Sequence, residues 1–199
     1  MANTTIEHSM MFLGSCIDVF VRERKIEDNN EERLSVMRAL AGKKPVSFIG
    51  HWQPRDETGL KKAFHKVLLF GIAPGAEGCS RNKEIENAER TVFKSRMPVF
   101  ISMAGAGWEP VTYARADGLY VERFGTKPGS LFFAVRNAGT KKRTLSLQVD
   151  TKALGISGKT VIREVLERRS LKKSDGQGYV ECEIEAGETL VLFVMDGKE

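Results

Sequence analysis

GWEPVTYARADGLYVERFG, residues 107–125, is where the chain changes its rhythm. Before it, short apolar runs alternate with stretches whose apolar residues recur every three or four positions. From Val111 onward, apolar and polar residues alternate in short segments broken by glycine-containing turns. A switch from period 3.6 to period 2 marks a change from strands joined by helices to antiparallel sheet. Two domains are expected, residues 1–109 and residues 110–199.

Upstream of the switch, Cys16-Ile17-Asp18-Val19-Phe20-Val21 is a compact run rich in β-branched residues and reads as a strand. Asn30 or Asn29 can cap the helix that follows, with Glu31 and Glu32 in its first turn, where the helix dipole favours negative charge. That helix would bury Leu34, Met37 and Ala41, with Val36 and Leu40 beside them, and stop at Gly42. Pro45–Gly50 reads as a second strand. Asp56 opens another helix, whose Leu60, Ala63, Phe64, Val67 and Leu68 form the stripe of a helix packed on a core. The chain breaks at Gly71-Ile72-Ala73-Pro74-Gly75. A further helix runs through Ile85, Ala88, Val92 and Phe93, and Pro98 is expected to interrupt or restart it. Strand–helix–strand–helix order at these spacings means parallel βα units. Two short strands cannot make a sheet that is covered on both faces, so further strands are expected upstream.

Downstream, Val111–Ala116, Leu119–Phe124, Ser130–Asn137, Leu145–Val149, Thr160–Arg169, Tyr179–Glu185 and Thr189–Met195 alternate as strands. Asp117-Gly118, Pro128-Gly129, Ala138-Gly139, Ser157-Gly158, Asp175-Gly176 and Ala186-Gly187 separate them as turns. Short strands at regular spacing with such turns predict an antiparallel β-sandwich.

Composition excludes more than it identifies. The formal net charge of +5 is spread along the chain, without the basic face or module that nucleic-acid binding requires, so no nucleic acid is expected as a partner. No apolar run reaches the roughly 20 residues of a membrane helix, and no membrane association is expected. Cys16, Cys79 and Cys182 are odd in number and lack ligand spacing, so neither a disulfide framework nor a metal is expected. Phosphate-cradle, nucleophile-elbow and HExxH patterns do not occur, and no cofactor is expected.

The order of βα units running into an all-β tail resembles the C-terminal end of (β/α)8-barrel glycoside hydrolases. Three strings carry the resemblance. RALAGKKPVSFIG, residues 38–50, is similar to a late barrel helix leading into a penultimate strand. FHKVLLFGIAPG, residues 64–75, is similar to the final helix and last strand. Residues 107–125, with Arg123-Phe124-Gly125, resemble the junction with the trailing sandwich. The resemblance implies a partial (β/α) barrel, its last two or three βα units, followed by an antiparallel β-sandwich. A whole barrel takes eight units over roughly 250 residues.

Barrel enzymes place their chemistry at the C-terminal ends of strands. By that rule Glu23, at the end of the first run, is the expected catalytic carboxylate. Asp18, His51 and Trp52 are expected to bind substrate, Trp52 by offering an indole face to a sugar ring. Glycoside hydrolysis needs two carboxyl groups about 5–10 Å apart, and the partner of Glu23 would come from an earlier strand. The resemblance therefore implies a carbohydrate-active fragment, inactive alone, acting on a glycan or oligosaccharide once a second chain or an upstream segment supplies the missing strands. The alternative is a non-catalytic carbohydrate-binding or protein-interaction module built on the sandwich. A row of exposed aromatics among Tyr113, Tyr120 and Tyr179 would favour it.

Overall fold

A computed structural model of the protein describes residues 2–3, 20–23, 30–50, 57–76, 83–174 and 178–197. The chain divides into two compact units, Met1–Phe100 and Ile101–Glu199.

In the first unit, β1 (Ala2–Asn3), β2 (Phe20–Glu23), β3 (Val46–Gly50) and β4 (Ile72–Ala76) form one parallel sheet in the order β1-β2-β3-β4. Phe20 pairs with Val46, and Val46 with Ile72, so the three longer strands start in register. Helices α1 (Glu31–Ala41) and α2 (Glu57–Leu69) make the crossovers between β2, β3 and β4. The Asn30 side chain accepts the Arg33 amide at 3.0 Å and caps α1. Gly42 ends it with φ +59°, its amide donating to the Arg38 carbonyl at 2.9 Å. Leu34, Met37 and Ala41 are buried as their spacing requires, whereas Val36 is half exposed. In α2, Leu60, Ala63, Phe64, Val67 and Leu68 are all buried, and the helix packs on β4.

Of the strand expected at 16–21, residues 16–19 lie outside the described residues, and Phe20–Glu23 pairs with Val46–Ile49. Two expectations for this region change. The break at Gly71–Gly75 is largely strand β4. Pro74 is tolerated there because β4 pairs only with β3 among the described strands, and an edge strand needs only one side of its backbone bonded. Pro98 does not interrupt the last helix, since α3 runs unbroken over Lys83–Ala106. One missing N–H removes a single bond from a 24-residue ladder. On the same helix Val92 is buried, and Phe93 meets Phe64 edge-on with ring centres 6.3 Å apart.

In the second unit, β5 (Trp108–Glu109), β7 (Tyr120–Phe124), β8 (Leu131–Arg136), β10 (Thr160–Glu164) and β13 (Thr189–Asp196) form an antiparallel sheet ordered β10-β13-β8-β7-β5. A second antiparallel sheet is ordered β11-β12-β9-β6, from β6 (Ala114–Arg115), β9 (Arg143–Val149), β11 (Lys173–Ser174) and β12 (Tyr179–Ile184). Alternate residues of both sheets meet in one apolar core. The first sheet contributes Leu131, Phe133, Val135, Ile162, Leu190, Leu192 and Val194; the second contributes Leu145, Leu147, Val149, Val180, Cys182 and Ile184. Period-2 patterning is clearest on β9, where buried Leu145, Leu147 and Val149 alternate with exposed Thr144, Ser146 and Gln148. β8 departs from it, being buried at all six positions. Phe132 and Phe193, on the face of that sheet away from this core, meet with ring centres 4.7 Å apart.

Two expected strands are shorter than the pattern suggests. Within Val111–Ala116 only Ala114–Arg115 is strand. Pro110 ends β5, which lies at the edge of one sheet, and the chain crosses to β6, at the edge of the other. Within Thr160–Arg169 the strand stops at Glu164. That buried carboxylate accepts the amides of Leu166 at 2.9 Å, Glu167 at 2.9 Å and Arg169 at 3.1 Å, wrapping the chain around itself, and Arg168 takes φ +56° in the process.

Candidate functional site

Parallel strands put their C-terminal ends on one side of a sheet. In the first unit that side holds the end of β2 at Glu23, opposite Ile49 of β3, followed by Gly50 opposite Ala76 of β4. Glu23 is the last described residue of β2. His51 and Trp52 come directly after β3 in the chain, and they and Asp18 lie outside the described residues.

Among the described residues, the second unit holds two buried carboxylates, Glu164 and Glu188. Besides its three loop amides, Glu164 lies 3.5 Å from the Val191 amide. Glu188 takes both terminal nitrogens of Arg169, one at 3.0 Å, and the Glu185 amide at 2.8 Å. Burial works against the Arg169 charge, yet the Glu188 hydrogen bonds and the negative charges of Glu188, Glu164 and Glu167 outweigh it and raise its pKa. Arg136 donates to the Gly187 carbonyl at 2.6 Å, and the Asn137 amide group donates to the carbonyls of Lys141 at 2.8 Å and Ile184 at 3.3 Å. Acidic oxygens satisfied by backbone amides and an arginine hold loops; they are not set up for proton transfer. Cys182 lies in the core of this unit. Burial, followed by the nearby Glu164 charge, pushes its thiol up to about 11, so it behaves as an inert apolar group.

A different arrangement occupies the β5–β6 crossover. Val111, Thr112, Tyr113, Ala114 and Arg115 line one side of an open groove of about 640 Å³, and residues 148–152 line the other. Tyr113 is 40% exposed and has φ +50°. For a bulky side chain that conformation costs on the order of 1–3 kcal/mol. Three contacts hold it. The Tyr113 carbonyl accepts the Asp150 amide at 2.7 Å, and the Thr112 hydroxyl donates to the Ala114 carbonyl at 3.0 Å. The guanidinium carbon of Arg123 sits 5.2 Å from the centre of the Tyr113 ring, a cation–π contact of about 0.5–2 kcal/mol. Arg123 is itself buried and lies 3.6 Å from the Glu109 carboxylate, while its Nε has no hydrogen-bond partner. Next to this pair, the Trp108 indole donates to Glu122 at 2.6 Å.

The aromatic row does not form. Tyr120 is exposed at the start of β7 in the five-stranded sheet. Tyr179 belongs to the other sheet and donates to Glu181 at 3.1 Å, and Tyr113 lies on the crossover. Glu164 is not singled out by the strand pattern, although the pattern carries a signal for it. In Thr160-Val161-Ile162-Arg163-Glu164 the residues at 160, 162 and 164 point inward, and an acid at an inward position calls for partners. The Glu109–Arg123–Tyr113 stack leaves no such trace, because it joins β5, β7 and the crossover across gaps of 10 and 14 residues.

Among the described residues, no group of three or more His, Cys, Asp or Glu side chains is placed to hold a metal ion. No helix among them is long and apolar enough to cross a membrane.

No family model matches the chain, and no curated protein does. Solved structures to which it is similar include glycoside hydrolases. One is a GH27 β-L-arabinopyranosidase from Geobacillus stearothermophilus, at 9% identity and TM-score 0.45, aligned over 95% of this chain and 60% of that one. A variant of that enzyme in complex with arabinose matches at 11% identity and TM-score 0.30, over 94% of this chain and 61% of that one. Another is the family 30 subfamily 8 xylanase Xyn30A from Clostridium acetobutylicum, at 13% identity and TM-score 0.48, over 89% of this chain and 49% of that one. The chain thus spans between about half and three fifths of the length of these glycoside hydrolases.

Proposed function

We propose that this chain is the C-terminal part of a glycoside-hydrolase-like enzyme. Residues 1–109 would form the closing segment of a (β/α) barrel, and residues 110–199 a trailing β-sandwich. Strand order is the observation that carries the proposal. The four parallel strands lie side by side in chain order, and each described crossover delivers the chain to the adjacent strand. Doubly wound sheets reverse direction at a switch point and bind ligands there. A sheet that only advances matches a run of consecutive barrel strands, and barrel ligands sit at the C-terminal strand ends; one half of a doubly wound sheet advances in the same way.

In this reading Glu23 is one of the two carboxylates of glycoside hydrolysis, acting as nucleophile or as the base that activates water. Asp18, His51 and Trp52 would contact the sugar. The second carboxyl group, the proton donor to the leaving oxygen, comes from a strand outside this chain. A separation of about 5–5.5 Å from Glu23 would give retention, and about 6.5–9.5 Å inversion. The chain alone is expected to be inactive.

The test begins with the DNA upstream of the Met1 codon. An in-frame extension encoding further βα units is expected, and the extended protein is assayed on a panel of nitrophenyl glycosides. Glu23→Gln should then lower kcat/KM by about 10²–10⁴-fold, with the folded state unchanged by circular dichroism. A stop codon immediately upstream, or full activity in the Glu23→Gln protein, overturns the proposal.

A further inference from the structure

We propose that the groove over Tyr113 is a saccharide-binding subsite. Glu23 belongs to the other unit, and the proposal does not depend on its role in hydrolysis.

Tyr113 occupies a backbone conformation that glycine would adopt without strain, yet the position carries a large ring. The surrounding contacts over-determine that conformation, and their effect is to hold a rigid aromatic plane at the wall of a groove. Arg123 lies 3.6 Å from Glu109 and over the ring, and Tyr113, 40% exposed, lines the opening. Strain of this kind, kept by its surroundings, is characteristic of binding sites.

The rest of the lining matches one ligand chemistry. Gln148, Asp150 and Thr151 offer donors and acceptors, with Arg115 and Lys152 beside them. One Asp150 oxygen is engaged by the Ala153 amide at 2.9 Å, which orients the carboxylate. A sugar has an apolar face for the ring and hydroxyls for the polar rim. A nucleic acid would need more than two cations. A volume of about 640 Å³ falls within the range of small-molecule sites.

The experiment is a titration of the isotopically labelled chain followed by amide NMR. The probes are arabinose, xylohexaose, cellohexaose and digalacturonic acid, each raised to tens of millimolar. At least one is expected to move amides confined to residues 111–115 and 148–152. Tyr113→Gly should weaken that binding by about tenfold or more, the loss expected from one stacked ring, and Tyr113→Phe should bind within about threefold of the parent. Because Gly relieves the strained backbone, the fold is expected to survive, as an unchanged spectrum outside the groove would show. Gln148→Ala, at an exposed position, supplies a second variant that leaves the backbone alone and should also weaken binding. If no probe moves these amides, if the shifts fall elsewhere, or if Tyr113→Gly binds as well as the parent, the subsite does not exist. Failure of the hydrolase reading would register separately, in the Glu23→Gln assay.

Discussion

In the parallel unit the helices carry the legible pattern, and in the antiparallel unit the strands carry it. α2 spells out its buried stripe at Leu60, Ala63, Phe64, Val67 and Leu68, while its neighbour β4 contains Ile72, Pro74 and Gly75 and shows no alternation. β9 and β12 alternate inward and outward residues almost without exception. A strand in a parallel sheet is read by its place between helices. A strand with one solvated face is read by its own side chains, and there an inward acid or thiol stands out against the pattern. The same contrast locates the candidate sites. They lie at strand ends in the first unit and at the edge crossover in the second.

The sharpest way to break this comparison is at Gly125. If backbone register governs the antiparallel unit, a methyl group there should be intolerable. Gly125 has φ +84°, and a Cβ would lie 1.8 Å from the Ser130 carbonyl oxygen. Gly125→Ala is expected to cost about 4 kcal/mol or more, measured by urea unfolding. A loss under about 1 kcal/mol would mean that this corner yields.

Glu164 comes next. Removing an acceptor that serves three loop amides and faces the Val191 amide leaves buried donors unpaired. Glu164→Ala should therefore cost about 2–4 kcal/mol, and Glu164→Gln, which keeps one oxygen, roughly half of that. Equal losses would make the charge, rather than the hydrogen bonds, the cause.

Cys182 tests the inward thiol through pH. Its folded pKa of about 11 exceeds the ordinary value of 9.0, so the unfolded chain releases this proton first as pH rises. The stabilising contribution is complete below about pH 9 and lost between there and about pH 11, amounting to roughly 2–3 kcal/mol. Cys182→Ala should lack that component, as shown by the difference between the two stability–pH curves. Parallel curves would mean that the thiol finds water.

The smallest effect belongs to the first unit. Asn30→Ala removes the cap of α1 and should cost about 1 kcal/mol. That modest figure reflects how much of the helix's stability comes from buried Leu34 and Met37 instead.

These cases also show why part of the molecule was legible in sequence and part was not. Asn30, Gly42, the α2 stripe and the turns at Asp117-Gly118, Pro128-Gly129 and Ala186-Gly187 follow from interactions a few residues long, while Asp175-Gly176 lies outside the described residues. A local rule about one N–H misjudges Pro98, which sits inside a 24-residue helix, and alternation overextends Thr160–Arg169 because the Glu164 carboxylate takes the amides of the residues that follow it. The Tyr113 stack depends on which strands become edges, a property of the whole sheet order. Glu23 is singled out by its position at the end of a run, and it is the last described residue of β2.

The strand order has a further consequence, for the timing of folding. In the parallel sheet each strand pairs with one that precedes it closely in the chain, so the sheet can grow as it is synthesised. β13 is the last described strand, yet it lies between β10 and β8 inside its sheet. Until Thr189–Asp196 leave the ribosome, β10 and β8 have no shared neighbour, and Leu131, Phe133 and Ile162 lack the Leu190, Leu192 and Val194 that complete their core. On the ribosome, the first unit's strands can pair early while the second unit waits for the eight-residue β13.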